Sequence, residues 1–120
     1  MTLFNRHESC VGLTLLRLWR WNIEIWYCPP GYQIKPHSHP QEHIELMYLF
    51  GKSTFYRGEG IWEESYRPRW HNFGMTFSVK PGMVHWFRVS TWPLVFINIA
   101  TFTKGHKPVS ASIDFHIKET

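Results

Sequence analysis

Apolar and polar residues alternate along much of this chain with a period of two. In residues 18–27, large apolar side chains alternate with polar ones: Trp19, Trp21, Ile23 and Ile25 against Arg20, Asn22 and Glu24. Residues 73–80 repeat the pattern, with Phe73, Met75, Phe77 and Val79 against Thr76, Ser78 and Lys80. Side chains point alternately to the two faces of a β-strand, whereas this spacing would scatter apolar residues around a helix. The pattern predicts half-buried strands whose apolar side faces a core.

Further short β-rich runs occupy residues 47–50, 53–57, 84–89, 94–102 and 113–117. Turn-forming pairs separate them, and we expect Gly51 and Lys52 to form a hairpin. Since no stretch of a dozen residues shows a capped helical period, we predict an all-β sandwich or small barrel. Segment 58–72 is too long for a simple turn, and we expect a flap or an extra hairpin there.

A chain of 120 residues can bury a core without disulfide or zinc staples, so we expect a single domain and a functional role for any metal. The longest run without Lys, Arg, Asp or Glu, 89–103, is shorter than the roughly 20 residues of a membrane helix. We also find no secretory signal and expect a cytoplasmic protein that does not bind membranes. Cys10 and Cys28 lack zinc-ribbon or CxxC spacing, which favours free thiols over a disulfide.

The net charge of +4 comes from scattered cations. Nucleic-acid binding would need a basic stripe interleaved with aromatic residues, so we do not expect it. Scattered cations around a cleft instead raise the local concentration of anionic small molecules.

Three of the eight histidines lie within seven residues: His37, His39 and His43. On a strand His37 and His39 share a face, and His43 opens the next strand after the turn at Pro40 and can face back toward them. His85 is the candidate fourth ligand. Neutral imidazole suits Fe, Mn, Ni, Cu or Zn rather than Ca or Mg, so we expect one divalent transition metal as the cofactor. Metal affinity should fall below about pH 6.5, because imidazolium cannot bind metal.

Nearby carboxylates leave alternatives to this ligand set. Glu45 or Glu42 could be the fourth ligand instead of His43. Alternatively, Glu45 could accept a hydrogen bond from a ligand histidine and so fix its tautomer without binding the metal itself. A triad of His43, Glu45 and His85, as in non-haem iron sites, is disfavoured because the His37 and His39 pair is intact.

The histidine segment resembles the first motif of the cupin superfamily: Gly, five residues, His-x-His, three or four residues, Glu, six residues, Gly. Here Gly31, His37 and His39 fit the spacing, His43 stands where the glutamate is expected, and Gly51 comes one place late. This motif spans 31–51. A histidine in the glutamate position is similar to a subset of small cupins that bind metal through four histidines.

A second stretch, 74–89, resembles the second cupin motif. Gly74, Pro81-Gly82 and His85 fit its spacing, whereas Lys80 replaces a proline and Val89 an asparagine. The resemblance covers about residues 28–102. It implies a double-stranded β-helix barrel of the jelly-roll type, with a metal inside that His37, His39, His43 and His85 hold.

The resemblance also implies a metal-dependent enzyme that acts on a small, anionic or enolisable molecule, foremost as an oxygenase of the dioxygenase type. A cupin isomerase and a non-catalytic metal- or ligand-binding cupin are the alternatives. Small cupins commonly dimerise, so a homodimer through the tryptophan-rich first strand is expected.

Other residues are candidates for contacts with a substrate. His71, in segment 58–72, would be a general acid or base. Tyr27, Tyr48, Tyr56 and Arg88 lie on predicted strands and would line the pocket. His7, His106 and His116 lie near the termini, and the sequence assigns them no role.

Overall fold

The computed structural model describes residues 3–58, 63–66, 76–113 and 116–117, and these residues contain strands and no helix. The strands are β1 (Phe4–His7), β2 (Cys10–Leu18), β3 (Trp21–Cys28), β4 (His37–Ser38), β5 (Glu42–Phe50), β6 (Ser53–Arg57), β7 (Glu63–Tyr66), β8 (Thr76–Val79), β9 (His85–Val89), β10 (Leu94–Phe102) and β11 (His116–Ile117). The predicted all-β class is confirmed.

The strands form two antiparallel sheets. The larger has the order β1-β2-β3-β10-β5-β8 and the smaller the order β11-β4-β9-β6-β7. In the larger sheet β10 lies between β3 and β5, with Asn98 opposite Glu24 on one side and Leu46 on the other. Strands distant in sequence are therefore neighbours, as in a jelly roll.

The core lies between the two sheets and is rich in aromatic rings. Phe55 of the smaller sheet stacks on Phe77 of the larger at a centroid distance of 5.1 Å, and Phe87 meets Phe96 edge-on at 5.8 Å. Such ring pairs add to the free energy gained by burying their apolar area. They hold the two sheets together.

Strand β3 faces the opposite way from the prediction. Asn22 and Glu24 are fully buried, whereas Trp21 is 39 % exposed and Trp19, in the preceding turn, is 73 % exposed. The physical reason is that Trp26 and Cys28 lie on the same face of the strand as Glu24 and point into the core. A strand has only two faces, so burying one set exposes the other.

Several of the buried polar atoms of β3 have hydrogen-bond partners. Trp26 Nε1 and the Ala111 backbone N–H donate to Glu24 Oε1 at 3.2 and 3.1 Å, and Arg17 Nε donates to Asn22 Oδ1 at 2.8 Å. Hydrogen bonds offset the cost of taking such groups out of water. These partners make a polar inner face tolerable in β3.

Gly51 and Lys52 do not form the hairpin that the sequence predicts. Strands β5 and β6 on either side belong to different sheets, so Gly51 lies at a corner where the chain crosses between them. Its φ is +109°, and a Cβ there would collide with the Pro93 carbonyl. Tyr48 donates its hydroxyl to the Gly51 carbonyl and fixes the corner.

Part of segment 58–72 continues the smaller sheet, because β7 pairs antiparallel with β6. Residues 59–62 and 67–75 lie outside the described residues. Among the described residues, we find no helix whose length and apolar character would let it cross a membrane.

We expect Gly51→Ala to destabilise the fold far more than Gly31→Ala. Both glycines have positive φ, but nothing lies within 4 Å of the position that a Cβ would take at Gly31. Gly31→Ala should cost about 1 to 2 kcal/mol through backbone strain, and Gly51→Ala at least about 3 kcal/mol through strain plus overpacking. Urea unfolding of both variants measures the difference, and equal losses would contradict the corner assignment.

Candidate metal centre

Three buried histidines come together between the two sheets. His37 lies on β4 directly opposite His85 on β9, and His39 follows two residues after His37 on the same face. The ring centroids are 4.1 Å apart for His37 and His85 and 5.0 Å for the other two pairs. One nitrogen of each ring lies within 4.8 Å of the other two. Three of the four histidines that the sequence selected are thus neighbours.

Backbone carbonyls orient two of the rings. His37 Nδ1 lies 2.6 Å from the Lys35 carbonyl oxygen, and His85 Nδ1 lies 3.0 Å from the Met83 carbonyl oxygen. Because a carbonyl oxygen only accepts hydrogen bonds, each Nδ1 carries the proton and donates it. In this tautomer the lone pair lies on Nε2, which is the nitrogen through which such a ring would bind a metal.

A carboxylate orients the third ring. His39 Nδ1 lies 3.2 Å from Glu42 Oε2, and Glu42 is fully buried. A carboxylate that accepts this proton fixes the tautomer and makes the opposite nitrogen more basic. Of the two acidic alternatives, Glu42 is therefore the one placed beside the cluster, behind His39.

Burial favours the neutral form of two of the imidazoles, His37 and His85. It lowers the pKa of His85 to about 3, with the nearby His39 as the second cause. Burial, followed by His85 and His39, also holds the pKa of His37 far below its usual range. Proton competition for these two ligands should therefore begin at lower pH than the 6.5 expected from an unperturbed histidine.

The donor set fits a transition metal. Three neutral imidazole nitrogens suit Fe, Mn, Ni, Cu or Zn, whereas Ca and Mg require oxygen ligands. Because neutral ligands cancel none of the ion's charge, an ion held by these rings would keep its full +2 charge. That charge would attract an anionic or enolic group.

His43 does not join the cluster. On β5 the inward side chains are Glu42, Ile44, Leu46 and Tyr48, so His43 and Glu45 point outward. His43 Nε2 lies 3.3 Å from both Glu45 Oε1 and Ser78 Oγ, on the outer face of the larger sheet. The four-histidine set expected from sequence is thus three histidines in the described structure. The outward direction of Glu45 also separates it from the cluster.

The predicted pocket residues lie elsewhere. Tyr27 and Arg88 are exposed on the outer faces of β3 and β9, and Tyr56 stacks on Trp86 with the planes 7° apart. Tyr48 is buried, but its hydroxyl bonds the Gly51 carbonyl. Among the described residues, none of these four side chains lines the cavity at the histidines. His71 lies outside the described residues.

A small cavity opens at the three histidines. It has room of about 60 Å³ for water-sized molecules, and most of its wall is apolar: Trp26, Ile34, Ile44, Leu46, Phe87 and Phe96. Cys10, Cys28 and Asn98 complete the wall near these side chains. His7, which the sequence left without a role, also lines the cavity.

Asn98 is a cavity residue that sequence reasoning missed. It is buried, and its Oδ1 has no hydrogen-bond partner among the described residues. A signal was present, because Asn98 is the one polar residue on an inward face otherwise made of Leu94, Phe96, Ala100 and Phe102. A polar side chain in such a position points to a ligand contact.

Solved structures resemble this chain over most of its length. An uncharacterized conserved protein with a double-stranded β-helix domain from Klebsiella pneumoniae is 20% identical with a TM-score of 0.69, and the match covers 97% of this chain and 90% of that one. A cupin-like protein from Thermotoga maritima is 23% identical with a TM-score of 0.62, over 77% and 68% of the two chains.

The capsular polysaccharide assembling protein CapF from Staphylococcus aureus matches 98% of this chain at 14% identity and a TM-score of 0.74, but the match covers 34% of CapF. The chain therefore spans about a third of that protein. No family model and no curated protein matches the sequence. The structural likenesses confirm the predicted double-stranded β-helix fold.

We expect metal uptake to depend on His85 and to be independent of His43. In a titration with Co²⁺, His85→Ala should lose tight binding, whereas His43→Ala, changed on the outer face, should keep it. Glu42→Gln should weaken affinity by about 10- to 100-fold, because it removes the carboxylate behind His39. If His43→Ala lost metal binding while circular dichroism showed an intact fold, His43 would be a ligand and the four-histidine site would be correct.

Proposed function

We propose that this chain, which has the double-stranded β-helix fold of the cupins, is a metal-dependent enzyme that oxygenates a small molecule in the manner of a dioxygenase. The observation that carries the proposal is the set of three buried imidazoles, whose Nδ1 atoms face acceptors and which each bring one ring nitrogen within 4.8 Å of the other two. His37, His39 and His85 would hold one divalent ion of Fe, Mn, Ni, Cu or Zn. When bound, such an ion supplies Lewis-acid polarisation and, if redox-active, electron transfer to dioxygen.

The chain's own residues would prepare the site. The apolar wall, which includes Trp26, Phe87 and Phe96, excludes water and strengthens electrostatic interactions inside the cavity. Glu42, whose Oε2 lies 3.2 Å from His39 Nδ1, would favour one tautomer of that ring. Asn98 offers its unpartnered amide oxygen to a hydroxyl or amine of the substrate.

The substrate class we propose is a small enolic compound. A cavity of about 60 Å³ favours a compact molecule, and the wall gives it mostly apolar contacts. CapF has been solved with the inhibitor 3-isopropenyl-tropolone. A tropolone carries an enolic hydroxyl beside a carbonyl, and a compound of this kind suits a site that combines a dication with apolar walls.

Two alternatives differ in their support. The small volume of the cavity favours a non-catalytic protein that binds a metal or a small ligand without turnover. An isomerase that uses a histidine and a tyrosine together has less support, because no tyrosine lines the cavity among the described residues.

Oxygen consumption tests the proposed reaction. Protein loaded with Fe²⁺, Mn²⁺, Ni²⁺ or Cu²⁺ should consume dioxygen with a panel of 1,3-diketones and α-hydroxyketones, and His85→Ala should not. Asn98→Leu should keep the metal and raise KM at least about 10-fold, because it removes a hydrogen bond to the substrate. Metal-loaded protein that binds these compounds without consuming dioxygen would instead support the non-catalytic alternative.

We also propose a homodimer. The β2–β3 end of the larger sheet exposes several large apolar side chains: Leu16, Leu18, Trp19 and Trp21. Strand β1 pairs with β2 only from Cys10 to Leu13, so among the described residues the edge of β2 near Leu16 and Leu18 has no neighbouring strand, and a second copy would cover it. Light scattering should give twice the 14.4 kDa chain mass, and Leu18→Glu with Trp19→Glu should give the monomer. A monomeric wild type at high concentration contradicts the dimer.

A further inference from the structure

Two cysteines face each other in the wall of the metal cavity. Val11 on β2 pairs with Tyr27 on β3 in antiparallel register, which places Cys10 opposite Cys28 on the next rung. Both side chains point inward and are 2 % and 1 % exposed. Both line the same cavity as His37, His39 and His85.

The separation of the two cysteines suits a disulfide. The Sγ atoms are 2.8 Å apart, and the Cys10 thiol donates to Cys28. Opposite residues in an antiparallel pair have Cα atoms about 4.5 to 5.5 Å apart, and a disulfide accepts Cα separations of about 4.4 to 6.8 Å. An S–S bond of about 2.05 Å therefore requires the sulfurs to move less than about 1 Å.

We propose that Cys10 and Cys28 are a redox-sensitive pair that a peroxide converts into an intramolecular disulfide. In the first step one sulfur attacks the peroxide, its S–O bond forms as the O–O bond breaks, and one water leaves. The second sulfur then attacks the sulfenic sulfur, the S–S bond forms as the S–O bond breaks, and a second water leaves. The two thiols lose two electrons and two protons, and one hydrogen peroxide becomes two waters.

The surroundings control which oxidants reach the pair. A small oxidant such as hydrogen peroxide can reach the sulfurs through the cavity that they line, whereas the buried positions exclude large disulfide reagents. The Cys10 hydrogen bond and burial raise the pKa of Cys28, which slows the first step. The short distance between the sulfurs favours the second step over further oxidation, so the sulfenic acid should not accumulate.

The disulfide would tie β2 to β3 beside the metal cavity. Cys28 follows two residues after Trp26, whose ring forms another part of the wall. The pair depends on the register of these strands and on no metal, so it can be tested independently of the proposed enzyme activity. If the disulfide does not form, the proposed enzyme activity is unaffected, and the disulfide is equally unaffected if the activity is absent.

The test uses the full chain, stripped of metal with a chelator and treated with hydrogen peroxide. Samples are then denatured and alkylated, and their intact mass is measured. Reduced protein should take up two labels, one for each of its two cysteines. Oxidised protein should take up none, should have lost two hydrogen atoms, and should recover both labels after dithiothreitol.

Variants and side products keep the inference falsifiable. Cys10→Ser and Cys28→Ser, each checked for folding by circular dichroism, should form no intramolecular disulfide and should trap a sulfenic-acid reagent that the wild type does not. A wild type that keeps both labels at a peroxide dose that oxidises its variants overturns the proposal. So does a product that is a covalent dimer or carries added oxygen.

Discussion

The register of β10 fixes which side chains enter the interior. This strand pairs with β3 over eight residues and with β5 on its other side, so it sets the parity of both neighbours. Phe102 lies opposite Glu42 and Thr101 opposite His43, which turns Glu42 inward and His43 outward. A slip of one residue would exchange their faces and remove the acceptor behind His39. The composition of the candidate site thus depends on backbone pairing at a distance from the histidines.

The same pairing makes the interior partly polar. Glu24, Asn98 and Leu46 form one rung across β3, β10 and β5. Arg17 lies 3.6 Å from Glu24, and two N–H groups donate to its other oxygen. Since buried charges are costly unless paired, these partners offset the cost of burying the Glu24 carboxylate. A second buried carboxylate, Glu42, lies beside His39, and the rest of the wall near the histidines is mostly apolar.

Several features of the fold follow from the sequence. The period-two pattern predicted strands, and Phe77 and Val79 are buried on one face of β8 as expected. The spacing of His37 and His39 correctly predicted that both lie on one face, because the alternation of faces along a strand depends only on neighbouring residues. His85 could be predicted as a ligand only from the second motif, because its strand pairs with β4 across a long stretch of sequence.

Other features could not be predicted from local pattern. In β3 the bulky residues favoured burial of Trp21 and Ile23, but Trp26 and Cys28 on the opposite parity decided which face packs on the core. His43 fits the motif spacing and was expected to open the strand, yet β5 begins one residue earlier, at Glu42. A one-residue difference in a turn is invisible to periodicity and reverses every side chain after it.

Burial of the three imidazoles links the fold to the chemistry of the site. Desolvation penalises the protonated forms of His37 and His85, so the folded state selects the neutral rings that a metal requires. The carbonyls of Lys35 and Met83 then remove the remaining freedom by holding the Nδ1 protons. A metal that binds these rings need not displace a proton or reorient a ring, so less of its binding free energy is spent on ordering the site. The Glu42 carboxylate, buried beside His39, gains in turn from the positive charge that a bound ion places across the ring, so metal binding and stability of this fold should reinforce each other.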